Sequence, residues 1–337
     1  MLNNPTCRVV AARTYIPEDL ESFSHNLEAG TPHNVRREAE AFPVLPVSKC
    51  LAPPEMAVIA AQQCLDEAEW EPMSIDFVVY ASTYFQGQQI GWSPAHYVAH
   101  KIGALEAIPL NIQQGCNGGA AALEVAIMRL NIDPNASRAL LVTSDRFATP
   151  FDRWRTLPGL AMGDGAAAVL LEQDRGRNEI IAIASEAVSE MEETGRRDQP
   201  FVSTPADILQ ALAGLGERSP IPPGDLRRYN KLQVSAVTSV ISKALTQAGL
   251  TGHDPRISFV CLPRHSAYHL ENPYLKSVRQ TTSSQVLPLG SDTGHLGAGD
   301  VLANLADVIR MEIEHDQVAI FVSGGAGFTY SCLILRA

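Results

Sequence analysis

Four short apolar runs rich in β-forming residues punctuate the chain: 76–82, 139–144, 257–262 and 318–323. Each follows a stretch with helical spacing, and the two kinds of segment alternate in the same order in each half of the sequence. Pro53-Pro54 opens a helix through Ala68 that leads, after a turn at Glu71-Pro72, into 76–82. In the second half, 234–248 reads as a helix broken at Gly249 and followed by 257–262. From Gly118 a small-residue helix places Leu123, Ala126, Ile127 and Leu130 on one face before 139–144. Its counterpart, opened by Gly297-Ala298-Gly299, carries Leu302, Leu305 and Ile309 and feeds 318–323.

Continuous apolar strands alternating with helices predict sheets covered on both faces. Two equivalent halves then predict a duplicated α/β fold with five layers, α-β-α-β-α. The polar stretch Gln173–Arg177 is the natural seam, so the halves are residues 1–172 and 178–337. Residues 186–229 have weak periodicity and six breakers (Pro200, Pro205, Pro220, Pro222, Pro223 and Gly224), and read as an insertion shaping a pocket entrance or as a solvated loop.

Composition narrows the function. The chain has 337 residues, of which 45% are hydrophobic, and a net charge of −11. The acidic balance argues against nucleic acid or an anionic membrane as partner. No apolar run approaches the ~18 residues of a membrane span. Six scattered cysteines, with no CxxC pair, suit neither a disulfide framework nor a zinc site and suggest a reducing cytoplasm.

One cysteine stands apart. Cys116 lies in Gln114-Gly115-Cys116-Asn117-Gly118-Gly119, where glycines permit a sharp strand-to-helix turn. The start of a helix favours the thiolate, the attacking form. The other five cysteines read as small buried residues.

The segment around Cys116, together with Gly163-Asp164-Gly165-Ala166-Ala167-Ala168 and Gly324-Gly325-Ala326-Gly327-Phe328-Thr329-Tyr330, resembles the type III β-ketoacyl carrier-protein synthases, which have a thiolase-like fold. The resemblance covers nearly the whole chain. It implies that Cys116 is acylated by a coenzyme A or carrier-protein thioester, with no other cofactor or metal. It further implies that the backbone N–H groups of Cys116 and Ala326 form an oxyanion hole, and that the protein is a homodimer with Phe85 near the partner's pocket. Gly163-Asp164-Gly165 reads as a structural turn.

The family's His and Asn partners have altered counterparts. In Leu262-Pro263-Arg264-His265, His265 takes the His position if one residue is inserted, and Arg264 takes it otherwise; imidazole is preferred because it moves protons near neutral pH. In Gly290-Ser291-Asp292-Thr293-Gly294-His295, Asp292 replaces the Asn and His295 is an addition, with Asp292 as its orienting group. Either histidine is a candidate base. A carboxylate opposes an enolate by about 4 kcal/mol at ~4 Å and an effective dielectric of about 20, roughly a thousandfold in rate. The same carboxylate assists a histidine as general base.

These departures resemble the synthase-III-like acyltransferase branch of polyketide antibiotic pathways, including its malonyl-transferring, cervimycin-type members. The expected reaction passes an acyl group, malonyl being one option, through Cys116 to a hydroxyl of a sugar or polyketide-type acceptor. The alternatives are a decarboxylating condensing enzyme, a non-catalytic chain-length-factor-like partner and a thioesterase. For the donor's nucleotide, Arg153, Trp154 and Arg155 are candidates, as are Arg36 and Arg37, although a solvated charged loop is the favoured reading of them.

Overall fold

The computed structural model describes residues 7–23, 31–157, 159–173, 175–196, 201, 203–204, 223–325 and 328–337. The strands are β1 (Cys7–Tyr15), β2 (Leu20–Ser22), β3 (Val44–Pro46), β4 (Phe77–Ala81), β5 (Ile108–Ile112), β6 (Arg138–Asp145), β7 (Gly165–Gln173), β8 (Asn178–Ala187), β9 (Ile257–Cys261), β10 (Val286–Leu287), β11 (Val318–Gly325) and β12 (Thr329–Arg336). The longer helices are α1 (His33–Ala41), α2 (Pro53–Ala68), α3 (Pro94–Ile102), α4 (Gly118–Ile132), α5 (Pro223–Gln247), α6 (Lys276–Thr281) and α7 (Asp300–Arg310).

The duplication is visible in the strand pairing. The first half runs β5-β4-β6-β7-β1 and the second β10-β9-β11-β12-β8. In each, two parallel pairings are followed by two antiparallel ones. Among the described residues three pairs, Cys7 with Ile180, Arg8 with Glu179 and Val9 with Asn178, join the halves through β1 and β8.

Helices α4 and α7 lie between the two halves of this ten-stranded sheet. Their Leu123, Leu130, Leu302 and Leu305 pack with Val79 and Leu141 from one side and Ala319 and Phe321 from the other. Outside, α2 and α3 cover the first half through Met56, Ala60 and Val98, and α5 covers the second through Val237, Ile241 and Ala244. The five expected layers are therefore present, held by apolar surfaces on both faces of each sheet.

Two sequence expectations need correction. Strand β8 continues through Glu186 to Ala187, and α5 already begins at Pro223, so the supposed insertion is shorter than 186–229. Proline and glycine there occupy a first helical turn, where the missing N–H is harmless. The rest of that segment falls largely outside the described residues. Cys50, expected to be buried, is exposed.

Candidate active site

The central layer brings two glycine-rich turns together. At the start of α4, a Cβ on Gly118 would touch the Ala298 and Ala81 side chains at 3.2 Å, and one on Gly119 would lie 2.5 Å from the Ala298 carbonyl oxygen. Only glycine lets the Cys116 turn press against the 297–299 turn so closely. Gly115 adopts a positive φ of 53°, making the bend before Cys116. The Asn117 side chain, fully buried, donates to Gln114 Oε1 (2.8 Å) and Ser331 Oγ (2.9 Å) and so ties this bend to β12.

His295 approaches Cys116 from the other turn. Its backbone N–H donates to the Ala161 carbonyl (2.8 Å), and its own carbonyl accepts from Gly163 N–H (3.0 Å). A Cβ on Gly163 would collide with the Thr293 carbonyl at 1.9 Å. The Gly163-Asp164-Gly165 turn thus seats the backbone that carries His295.

The carboxylate behind His295 is Asp300, at the first turn of α7. His295 Nδ1 lies 2.6 Å from Asp300 Oδ2. The same oxygen accepts from the Arg264 backbone N–H (2.7 Å), while Oδ1 accepts from Leu296 N–H (2.8 Å). Burial pulls the imidazole's pKa down, but the adjacent Asp300 carboxylate and the Cys116 side chain together push it well above its ordinary value. Burial raises and the His295 charge lowers the Asp300 pKa, with a net downward shift. The result is Cys116, His295 and Asp300 in sequence, with imidazolium favoured in the resting state.

Asp292, the expected orienting group, is exposed. The physical reason is the turn itself: Thr293 and Gly294 N–H groups both bond back to the Gly290 carbonyl, leaving residues 291 and 292 at its outer tip. Asp300 was overlooked because an acidic residue in a first helical turn ordinarily reads as a partner of the helix dipole. The sequence signal was its position directly after Gly297-Ala298-Gly299, across one tight turn from His295.

Arg264 and His265 divide the place expected for the family histidine. Arg264 is buried as a brace: Nε donates to Asn304 Oδ1 (2.9 Å), one terminal nitrogen to Thr293 Oγ1 (3.1 Å) and the other to Asp307. His265 stands beside His295 with ring centres 4.6 Å apart and planes at 90°. Neither of its ring nitrogens has a hydrogen-bond partner among the described residues. Burial, then the neighbouring His295 and His269, hold its pKa well below the usual value, so the ring is neutral.

Two further groups complete the surroundings. His269 stacks edge-on to His265 at 4.9 Å, and burial and His295 lower its pKa to about 4. Glu38 of α1, absent from the sequence expectations, is fully buried and accepts a hydrogen bond from Ser266 Oγ. Desolvation raises its pKa to about 7, against the opposing effects of Ser266 and His295.

The nucleotide candidates lie elsewhere, and two are corrected. Arg153 is buried in a two-pronged pair with Asp164 (2.6 and 2.8 Å), and Trp154 is buried with its indole N–H on the Phe42 carbonyl (2.9 Å). Their polar groups are consumed within the fold because they anchor the 152–164 loop. Arg155 pairs with Asp152 and covers the Phe23 ring. Ala326 lies outside the described residues. Its neighbour Gly325 passes over Cys116, where a Cβ would be 2.7 Å from the Cys116 backbone nitrogen.

Comparison with known proteins agrees with this architecture. Residues 110–189, which include Cys116 and Gly163–Gly165, match the family model of 3-oxoacyl-[acyl-carrier-protein] synthase III. A curated β-ketoacyl-[acyl-carrier-protein] synthase III of Lactococcus lactis is 22% identical over 285 residues, 84% of each chain. Among solved structures, the acyltransferase ChlB3 superposes with a TM-score of 0.82 at 28% identity, covering 99% of this chain and 98% of its own. The priming β-ketosynthase of a polyketide pathway gives 0.76 at 20% identity, with 99% and 96% covered. No described helix is long and apolar enough to cross a membrane. The chain thus has the fold of the synthase III structures along its whole length, and its residues 110–189 resemble the synthase III family in sequence.

Proposed function

We propose that this protein is an acyltransferase that carries an acyl group on Cys116 and delivers it to a hydroxyl. The observation that carries the reading is the Asp300 carboxylate 2.6 Å from His295 Nδ1. A carboxylate-backed imidazole is suited to taking a proton from an alcohol, orienting the ring and stabilising its cation. Likeness to the acyltransferase ChlB3 supports the same reading.

In the first half-reaction the Cys116 sulfur attacks the thioester carbonyl of a coenzyme A or carrier-protein donor. The imidazolium of His295 gives its proton to the departing thiolate, leaving acyl-Cys116 and neutral His295. Acylation ends the interaction of the Cys116 side chain with the ring, one of the two influences that raise the His295 pKa. The ring is then free to accept the acceptor's hydroxyl proton as the oxygen attacks the acyl carbon. The C–S bond breaks, and the proton returns the site to its starting state. The resemblance of the sequence to the synthase-III-like acyltransferase branch supports malonyl as one option for the acyl group and a glycosylated or polyketide-type acceptor.

The exposed edge of the first sheet supports a homodimer. Strand β5 is terminal in the sheet and presents Ile108 and Leu110 to solvent, with Phe85 also exposed. An edge strand with apolar side chains favours pairing with another copy.

A second reading, decarboxylative condensation, is favoured by neutral His265 next to His295, because two imidazole donors can hold an enolate oxygen. Incubating the enzyme with an acyl thioester, a malonyl thioester and an alcohol separates the readings. Ester formation without carbon dioxide supports acyl transfer; carbon dioxide with a β-ketoacyl product refutes it.

A further inference from the structure

Buried polar atoms nearly always find partners. Among the described residues, five buried side-chain atoms lack a hydrogen bond: Glu38 Oε2, Asn117 Oδ1, both ring nitrogens of His265, and His295 Nε2. Each belongs to His295, to a residue linked to it through the 264–269 turn, or to the residue after Cys116. His295 Nε2 has the Cys116 side chain as its neighbour, and Asn117 follows Cys116 directly. Glu38 and His265 have no such explanation.

Their arrangement is fixed from several sides. Ser266 Oγ donates to Glu38 Oε1 and accepts from His269 N–H (3.2 Å), so one hydroxyl locks α1 to the turn bearing His265. His269 in turn rests on Gly159, where a Cβ would be 2.9 Å from its Nδ1. The His265 ring is 4.6 Å from that of His295 and 6.0 Å from that of Tyr274. An unpartnered imidazole therefore lies against the His295 ring, and the next residue along the turn, Ser266, holds a carboxyl whose second oxygen also lacks a partner.

We propose that Glu38 and His265 form a subsite for a second hydroxyl of the acceptor, adjacent to the one that is acylated, so that the enzyme selects vicinal diols. This rests on the hydroxyl-transfer reading above and names the acceptor class. Glu38 Oε2 accepts the second hydroxyl's proton as a hydrogen bond, and a His265 nitrogen contacts its oxygen. The raised pKa of Glu38 shows how poorly its charge is solvated without such a donor.

The test uses cis-1,2-cyclohexanediol and cyclohexanol as probes. Intact-mass detection of acyl-Cys116 first checks the parent reading by itself. Discharge of that adduct is then timed with each alcohol, hydrolysis being subtracted. The diol is expected to discharge it about ten- to hundredfold faster, the effect of a hydrogen bond to a charged group. Glu38→Gln retains an oxygen for Ser266 yet is expected to cut the diol preference at least threefold, and Glu38→Ala to abolish it. Binding of both alcohols to Cys116→Ala, followed by saturation-transfer NMR, reads the subsite without any acylation. Equal discharge and equal binding of the two alcohols, or a diol preference that survives both Glu38 substitutions, would overturn the proposal. Failure of acylation with diol-selective binding intact would instead count against the transfer reading alone.

Discussion

Replacing Asp300 by Asn probes the proton-handling pair with little change in shape. In the native site Oδ2 accepts from His295 Nδ1 and Arg264 N–H, while Oδ1 accepts from Leu296 N–H at 2.8 Å. An amide can serve only one side. If its oxygen faces His295, its NH2 opposes the Leu296 N–H; if reversed, it opposes both other donors. The charge lost is worth more than this misfit. With charge centres about 4 Å apart and an effective dielectric of about 20, the imidazolium loses about 4 kcal/mol of stabilisation. The transfer rate is therefore expected to fall about a thousandfold. Because Asp300 raises the His295 pKa, its removal shifts the imidazole's titration to lower pH. Stopped-flow acylation and alcohol-dependent deacylation across pH, with iodoacetamide alkylation of Cys116 as a second readout, measure both effects. A loss below tenfold with an unmoved pH profile would refute the triad. Asp292→Asn, at the exposed tip of its turn, is expected to stay within twofold of the native rate.

Three further outcomes follow from packing and charge. Glu38 keeps its proton to about pH 7 in the folded chain, against an ordinary value of 4.5, so its burial costs nothing below pH 4.5 and most above pH 7. Glu38→Gln should therefore raise stability at pH 8 by about 2–3 kcal/mol and leave it nearly unchanged at pH 4.5, as measured by denaturant melts. Arg153→Met leaves Asp164 buried without its partner and should cost about 3–5 kcal/mol of stability, while donor KM, measured on the folded fraction, stays unchanged. Gly163→Ala pushes a methyl into the Thr293 carbonyl; transfer activity should fall at least tenfold, and a crystal structure should show residues 293–295 displaced.

Much of the fold was legible because it rests on short-range patterning. The run Pro53–Ala68 forms the predicted helix with the same bounds, since a proline start and a regular apolar face need no tertiary information. The repeated order of segments likewise anticipates the repeated strand pairing. The candidate site was legible only where backbone geometry demands particular residues, as at Gly115, Gly118 and Gly119 around Cys116. Asp300 was not, because helix-start chemistry and triad chemistry use the same residue type. Glu38 was hidden for another reason. It lies 228 residues from Ser266 in sequence, on a helix of ordinary polar composition, and only the packing of α1 against the 264–269 turn reveals that it is buried. Arg153 and Trp154 misled in the opposite direction: charge and aromaticity in a loop suggested a ligand, whereas Asp164 and the Phe42 carbonyl were the partners.

The most direct measurement takes Cys116 acylated in a single turnover, frees it of donor, and chases it in parallel with an alcohol and with a malonyl thioester. Acyl transfer predicts that the alcohol empties Cys116 into an ester, that the malonyl thioester releases no carbon dioxide, and that Asp300→Asn slows the alcohol chase about a thousandfold. Discharge by the malonyl thioester into a β-ketoacyl product, with the alcohol inert, would contradict it.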